Sequence, residues 1–180
     1  MQVQRKYNKA FSLIELVIVI VIMGVIAAIA IPRISSGSKN AGEAALRGNL
    51  QSVRNAIDWY YGDHNNTYPG ATSDGTNAAK TSAAFVTQLS QYSNAAGAVS
   101  ANKAATHPFG PYLRSGFPKL SVGTNAGKGG VAAEITIVDA ATPIVVDTTD
   151  GAGWVYNVQT GEFRANADDT GSDGQTYNNW

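Results

Sequence analysis

The stretch "FSLIELVIVIVIMGVIAAIAIP", Phe11 to Pro32, is the most apolar part of the chain, and Glu15 is its only acidic residue. The 21 residues 11–31 are long enough to cross a membrane as a helix, which takes roughly 20 apolar residues. Three basic residues precede the stretch: Arg5, Lys6 and Lys9. A basic flank keeps its side of a membrane segment in the cytoplasm. We therefore predict a leader at 1–10 and a transmembrane segment at 11–31.

The composition of the chain excludes several classes of function. The 180 residues carry 13 basic and 13 acidic side chains, so no charge excess favours nucleic-acid binding. The leader holds three of the basic residues, which leaves the remainder slightly acidic. The absence of cysteine excludes disulfides, thiolate metal sites and cysteine nucleophiles.

An apolar stripe continues the helix beyond the membrane segment. It recurs at spacings of three and four residues, as one face of a helix does: Leu46, Leu50, Val53, Ile57 and Tyr60 or Tyr61. The run after Gly62 then favours a turn. We therefore predict one helix over 11–62. A helix kink is expected at Gly24 and Pro32, because a proline inside a helix costs about 3 kcal/mol.

Residues 63–180 are predicted to form a small α+β head. A short helix is expected within 81–93, and β-branched runs predict strands at 133–140 and 142–148. Alternating aromatic and apolar residues after Gly153 predict a hairpin that returns at Phe163. We expect a small antiparallel sheet that buries the helical stripe. The tail is expected to be a mobile or lightly anchored surface segment, with Trp180 as its docking residue.

The N-terminal sequence resembles the type IV pilins and the pseudopilins of type II secretion systems. The resemblance covers about residues 5–60: a basic leader, then Phe, a Leu-Ile-Glu-Leu core, a mid-helix Gly and a Pro near its end. It implies that a prepilin peptidase cuts between Ala10 and Phe11 and methylates the new Phe11 amine. The family normally has Gly before the cut, and Ala10 stands there in this chain. The "GWVY…TGEFR" hairpin also resembles those of pseudopilin-like proteins.

Glu15 needs a compensating role, because a carboxylate at mid-bilayer costs roughly 2.5–3.5 kcal/mol. A snorkelling polar residue near a helix end is the bland alternative. The resemblance implies that the N-terminal amine of Phe11 on a neighbouring subunit pairs with Glu15 in a filament. The carboxylate would then set the register of the packed helices.

Catalytic motifs were sought in the sequence and none was found. His64 and His107 are isolated and are interpreted as surface loop imidazoles rather than zinc ligands. "GTNAGKGG" lacks the spacing and the Ser or Thr of a phosphate-binding loop. We therefore predict that the chain is not an enzyme.

One metal hypothesis remains open beside ordinary solvated turns. Five aspartates crowd the C-terminal third: Asp147, Asp150, Asp168, Asp169 and Asp173. Some major pseudopilins use calcium to order this end of the head, and the lack of cysteine agrees with that role. The closing Glu of an EF-hand is missing, with Tyr177 in its place. A structural calcium ion is the only cofactor considered.

The sequence predicts a structural filament subunit. The first interpretation is a pseudopilin of a type II secretion-like system, anchored in the bacterial inner membrane with its head in the periplasm. The alternative is a type IV pilin that forms surface fibres for adhesion, motility or DNA uptake. The absence of a C-terminal disulfide loop favours the pseudopilin. A membrane-anchored binding domain is the third possibility. The expected partners are other pilin-like subunits, the prepilin peptidase, an assembly ATPase and a platform protein.

Overall fold

The computed structural model describes residues 11–180, with the side chains of residues 30–36 excepted. One long helix, α1, spans Leu13–Asp63. The chain divides into two compact units, Met1–Lys39 and Asn40–Trp180, and we call the second unit the head. The predicted long helix is thereby confirmed, and its second half is part of the head. Among the described residues, no helix combines the length and the apolar character that crossing a membrane requires.

The head adds one helix and two small sheets to its part of α1. Helix α2 spans Ser82–Ser90 and begins at Thr81, whose side chain accepts a hydrogen bond from the Ala84 amide. The strands are β1 Tyr92–Ser93, β2 Val99–Ser100, β3 Ile135–Val138, β4 Trp154–Asn157 and β5 Phe163–Ala165. The first sheet pairs β1 and β2, and the second has the order β3-β4-β5. The α+β class predicted from the sequence is correct.

The sheet differs from the prediction in one pairing. Strands β4 and β5 form the predicted antiparallel hairpin, but β3 pairs with β4 in parallel. A parallel pair needs a crossover, and residues 139–153 supply it. The predicted strand at 142–148 is therefore wrong. Backbone groups of residues 142–148 bond to side chains instead: Asn157 Nδ2 donates to the Thr142 carbonyl, and the Ile144 amide donates to the Glu162 carboxylate.

The core forms where the helical stripe meets the sheet, as the spacing predicts. The stripe residues Leu46, Leu50, Val53, Ile57 and Tyr60 are all buried in it. Strand β4 is buried along its whole length. Tyr156 stacks on Phe85 of α2 with ring centroids 3.9 Å apart, and the stripe of α1 belongs to the same core cluster as both residues.

Candidate assembly and processing site

The N-terminal part of α1 carries an exposed, largely apolar surface. From Phe11 to Ile29, the large apolar side chains of the N-terminal unit are each at least 38% exposed. Soluble monomers rarely expose a contiguous apolar area of this kind, which marks contact with a membrane or with another protein. This surface is therefore the first candidate for an assembly interface.

Glu15 has a local partner at the start of α1. Its Oε2 accepts a hydrogen bond of 2.8 Å from the backbone amide of Ser12, the residue before the helix. The sequence Ser12-Leu-Ile-Glu15 has the spacing of a capping box, in which the third helical residue reaches back to the N-cap amide. A negative charge here also favours the positive end of the helix dipole. Sequence reasoning missed this role, although the Ser-x-x-Glu pattern signals it.

The other predicted processing residues are only partly described. Ala10 lies outside the described residues, while the Phe11 side chain is 87% exposed. A methyl group added at Gly24 would meet no described atom within 4 Å, so no contact among the described residues requires a glycine there. Helix α1 continues through the backbone of Pro32. Cleavage at Ala10–Phe11 and the kink at Gly24 and Pro32 stay predictions.

The C-terminal tail is anchored to α1 within the head. The buried Glu43 carboxylate accepts hydrogen bonds from the Ser172 amide and hydroxyl and from the Tyr177 hydroxyl. Burying a carboxylate is tolerated because these donors replace the lost water. The tail is thus held by a buried polar contact rather than lying loose.

Two arginines of α1 hold the end of the same tail. Arg47 pairs with Asp173 at 2.5 Å, and its guanidinium lies 3.9 Å from the Trp180 ring. Arg54 donates to the backbone oxygens of Phe163 and Trp180. The docking proposed for Trp180 therefore occurs, through a cation–π contact and a backbone hydrogen bond.

Clefts of about 420 Å³ and 410 Å³ open beside Trp180. Polar and charged side chains line both, and the carboxylates of Glu162 and Asp173 are paired with Arg164 and Arg47. Asp58 also lines the first cleft. The clefts are thus lined by charged groups, and two of their carboxylates are engaged in ion pairs.

His64 is part of the core, which corrects the interpretation as a surface imidazole. Its ring stacks on Tyr60 at 3.7 Å, Nδ1 lies 2.8 Å from the Tyr60 carbonyl, and Nε2 lies 3.0 Å from the Ser93 hydroxyl. Burial lowers the pKa of His64 below its ordinary value, although Asp63 opposes the shift. His64 follows Tyr60 by four positions and so continues the spacing of the buried stripe. This spacing could have indicated from the sequence that His64 is buried.

The head is expected to lose stability as His64 becomes protonated. Because the pKa of His64 is lowered in the folded state, the unfolded chain binds the proton more readily. The free energy of unfolding should therefore decrease as the pH drops below about 6.5, the ordinary pKa of histidine. Unfolding of the full chain in detergent micelles between about pH 7 and pH 5 measures the slope. His64→Gln should weaken the dependence of the unfolding free energy on pH, and His107→Gln should leave it unchanged. The opposite result would contradict the assignment of this dependence to His64.

The five aspartates predicted for calcium do not form one group. Asp150 accepts a hydrogen bond from Asn166, and Asp147 lies in the same turn, with its carbonyl bonded to Asn166. Asp169 accepts from Thr124, Asp173 pairs with Arg47, and Asp168 is exposed. Among the described residues, no three acidic or histidine side chains meet in a way that would hold a metal.

Asn166, where a run resembling the start of a calcium loop begins in the sequence, changes the candidate calcium ligands. Its Oδ1 is buried and has no hydrogen-bond partner among the described residues. Calcium takes carboxylate, amide and backbone oxygens, so this oxygen and those of Asp147 and Asp150 are suitable ligand types. Calcium binding nevertheless stays a prediction.

Calcium is expected to raise the melting temperature of the full chain in micelles relative to a chelator. A ligand about a hundredfold above its Kd stabilises by about 2.7 kcal/mol, or roughly 5–10 °C here. Asp150→Asn should remove the rise, whereas Asp173→Asn, on the Arg47 side, should keep it. Identical melting curves with calcium and chelator would end the hypothesis.

Comparison with known proteins shows that the N-terminal residues are similar to a known sequence motif. Residues 5–31 match the model of the prokaryotic N-terminal methylation motif. Type II secretion system core protein G of Pseudomonas aeruginosa is 35% identical over 66 residues, and that of Aeromonas hydrophila is 32% identical over 66 residues.

These matches cover a limited part of each protein. They span 37% of this chain and 46% of each relative, so the chain matches less than half the length of either. No solved structure matches. The resemblance of the N-terminus to pseudopilins is thereby confirmed.

Proposed function

We propose that the chain is a pseudopilin, a filament subunit of a type II secretion-like system. Residues 11–31 anchor it in the inner membrane with the head in the periplasm. A prepilin peptidase removes the leader and methylates Phe11. Other pilin-like subunits then join it in a helical filament, with an assembly ATPase and a platform protein supplying the work. The subunit itself has no catalytic role.

The observation that carries this proposal is the methylation motif on an exposed apolar helix. The motif covers residues 5–31, and the large apolar side chains described between Phe11 and Ile29 are exposed. A membrane covers such a surface before assembly, and the same surface of neighbouring subunits covers it afterwards. Both relatives carry the name of a secretion-system core protein, which supports a pseudopilin over other users of the motif.

Glu15 supplies the register of the filament in this proposal. Cleavage creates an amine at Phe11, and a neighbouring Glu15 lies among packed apolar helices. A buried carboxylate is tolerated when an opposite charge lies within hydrogen-bond reach. Subunits packed in the correct register therefore pair each Glu15 with a Phe11 amine, and subunits in another register leave Glu15 unpaired. The Ser12 amide holds the carboxylate until that partner arrives.

A type IV pilin is the second candidate, because the same N-terminal motif serves both kinds of filament. The two kinds of filament differ in location: a pseudopilin filament stays in the periplasm, and a pilin fibre extends from the cell surface. The absence of cysteine, and hence of a C-terminal disulfide loop, favours the pseudopilin. A membrane-anchored binding domain is less favoured, since both relatives carry the name of a secretion-system core protein.

Electron microscopy of cells that express the chain tests the proposal. Fibres that contain it, with an N-terminus that starts at a methylated Phe11, are the expected result. Fibres sheared from normally expressing cells would favour the pilin, and fibres seen only on overexpression would favour the pseudopilin. A cleaved chain that never assembles would overturn both in favour of a membrane-anchored domain.

A further inference from the structure

The residues at the end of α1 contain a motif for N-linked glycosylation. The sequence "DHNNT", Asp63 to Thr67, includes Asn65-Asn66-Thr67, which has the acceptor pattern Asn-x-Thr with a residue other than proline in the middle. The pattern with Ser or Thr at its third position occurs nowhere else in the chain. Because a glycan is bulky and hydrophilic, an acceptor asparagine belongs on an exposed turn or loop.

A tight turn presents the motif at the surface of the head. The Thr67 amide donates to the His64 carbonyl at 3.0 Å, and the two residues between them have φ values of +52° and +60°. These two residues, Asn65 and Asn66, are both exposed. Asparagine tolerates the left-handed backbone better than most residues, so the turn alone explains asparagine at either position. The case for an acceptor therefore depends on what the side chains do.

The side chains of the motif have no other task within the described part of the chain. No described residue forms a hydrogen bond with the side chain of Asn65 or with the hydroxyl of the half-buried Thr67. An asparagine that shapes a turn commonly bonds to the backbone two residues on. Asn94 does this in the same head, where its Oδ1 accepts from the amides of Ala96 and Ala98. The Asn65 amide is instead left accessible to an enzyme.

Asp63 adds a charged group beside the motif. It lies two positions before Asn65 and is exposed, and its Oδ2 accepts a hydrogen bond of 2.8 Å from the Tyr112 hydroxyl. An exposed carboxylate is a ready partner for a basic side chain of an enzyme, because ion-assisted hydrogen bonds are the strong ones. The turn thus offers a carboxylate, an amide and a hydroxyl within five residues.

We propose that Asn65 accepts an N-linked oligosaccharide from a polyprenyl diphosphate carrier, through an oligosaccharyltransferase of the inner membrane. The Nδ2 atom of Asn65 forms a bond to the anomeric carbon of the first sugar, and the bond from that carbon to the phosphate oxygen breaks. The lipid diphosphate leaves with the electron pair, and the amide proton passes to a base of the enzyme. In cells, this modification rests on the periplasmic head of the proposed function, whereas the acceptor chemistry does not.

Transfer to the full, folded chain in micelles tests the acceptor. A purified bacterial oligosaccharyltransferase with a polyprenyl diphosphate-linked oligosaccharide should add one glycan per chain, within the tryptic peptide Asn55–Lys80. Intact mass gives the number of glycans, and fragmentation of that peptide gives the site. Asn65→Gln and Thr67→Val should abolish transfer, and Thr67→Ser, which keeps the hydroxyl, should retain it.

Asn66→Gln is the matched control. Asn66 shares the turn, the residue type and the exposure of Asn65, but it is followed by Thr67-Tyr68 and so does not begin the motif. This variant should be glycosylated as the unaltered chain is. Asn65→Gly favours the same left-handed backbone and should also abolish transfer, which separates loss of the acceptor from loss of the turn.

Three results in micelles would overturn the proposal. The first is an unaltered folded chain that gains no glycan. The second is a glycan that persists in Asn65→Gln, since the acceptor would then lie elsewhere. The third is transfer only to the denatured chain, which would show that the folded turn does not present the motif.

Expression in bacterial cells that contain the transferase and the carrier separates the acceptor from the location of the head. Transfer takes place on the periplasmic face of the inner membrane, so a glycan at Asn65 in these cells is the expected result. Transfer in micelles without transfer in cells would contradict the periplasmic location of the proposed function and still support Asn65 as an acceptor. Failure in micelles contradicts the acceptor wherever the head lies.

Discussion

Replacing Glu15 with Val is expected to abolish filament assembly while membrane insertion and leader cleavage continue. In the proposed filament, the variant leaves the Phe11 amine of each neighbour buried without its partner. Removing one member of a buried ion pair costs about 3–5 kcal/mol, and a filament repeats that loss at every subunit. Fibre yield by electron microscopy, with N-terminal sequencing of the membrane fraction, measures both parts of the result.

Glu15→Gln separates the two roles of this side chain. Gln can still accept from the Ser12 amide, so it keeps the capping box, but it carries no charge. If charge pairing drives assembly, the Gln variant should fail as the Val variant does. Assembly of the Gln variant at the normal level would assign the role of Glu15 to capping. Normal assembly of the Val variant would remove Glu15 from the mechanism altogether.

The parts of the fold that follow a regular period could be predicted from the sequence. The spacing from Leu46 to Tyr60 identified the buried face of α1, because a period of 3.6 residues leaves little choice of face. The hairpin from Trp154 to Phe163 was predicted for a similar reason. Both signals are local, so they needed no knowledge of distant partners.

The features that sequence reasoning missed depend on distant or irregular partners. Residues 142–148 are rich in β-branched side chains, yet Asn157 and Glu162 take the backbone groups that a strand would pair. Tertiary contacts of this kind override local propensity. The parallel pairing of β3 and β4 was missed because a strand was predicted at 142–148, whereas these residues belong to the crossover that a parallel pair requires. Glu43 was missed because its donors lie more than a hundred residues away.

Replacing Trp154 with Ala is expected to cause a large loss of head stability. Trp154 is fully buried in β4, its ring stacks on Phe163 at 5.1 Å, and its Nε1 donates to the Pro118 carbonyl at 2.8 Å. The variant loses apolar burial, leaves a cavity and strands a carbonyl group. Deleting a buried Trp side chain costs about 3–5 kcal/mol, measured by denaturant unfolding of the full chain in micelles.

Trp59→Ala is the matched control, since Trp59 belongs to α1 and its side chain is 64% exposed. It should change the free energy of unfolding by no more than about 0.5 kcal/mol. If Trp154→Ala prevents folding, Trp154→Phe keeps most of the ring contact and should give a smaller, measurable loss. Equal losses for Trp154→Ala and Trp59→Ala would contradict a core centred on β4, because only one of these rings lies within it.

The same Trp59→Ala chain also tests assembly. Normal head stability with fewer fibres would identify that exposed ring as a contact between subunits.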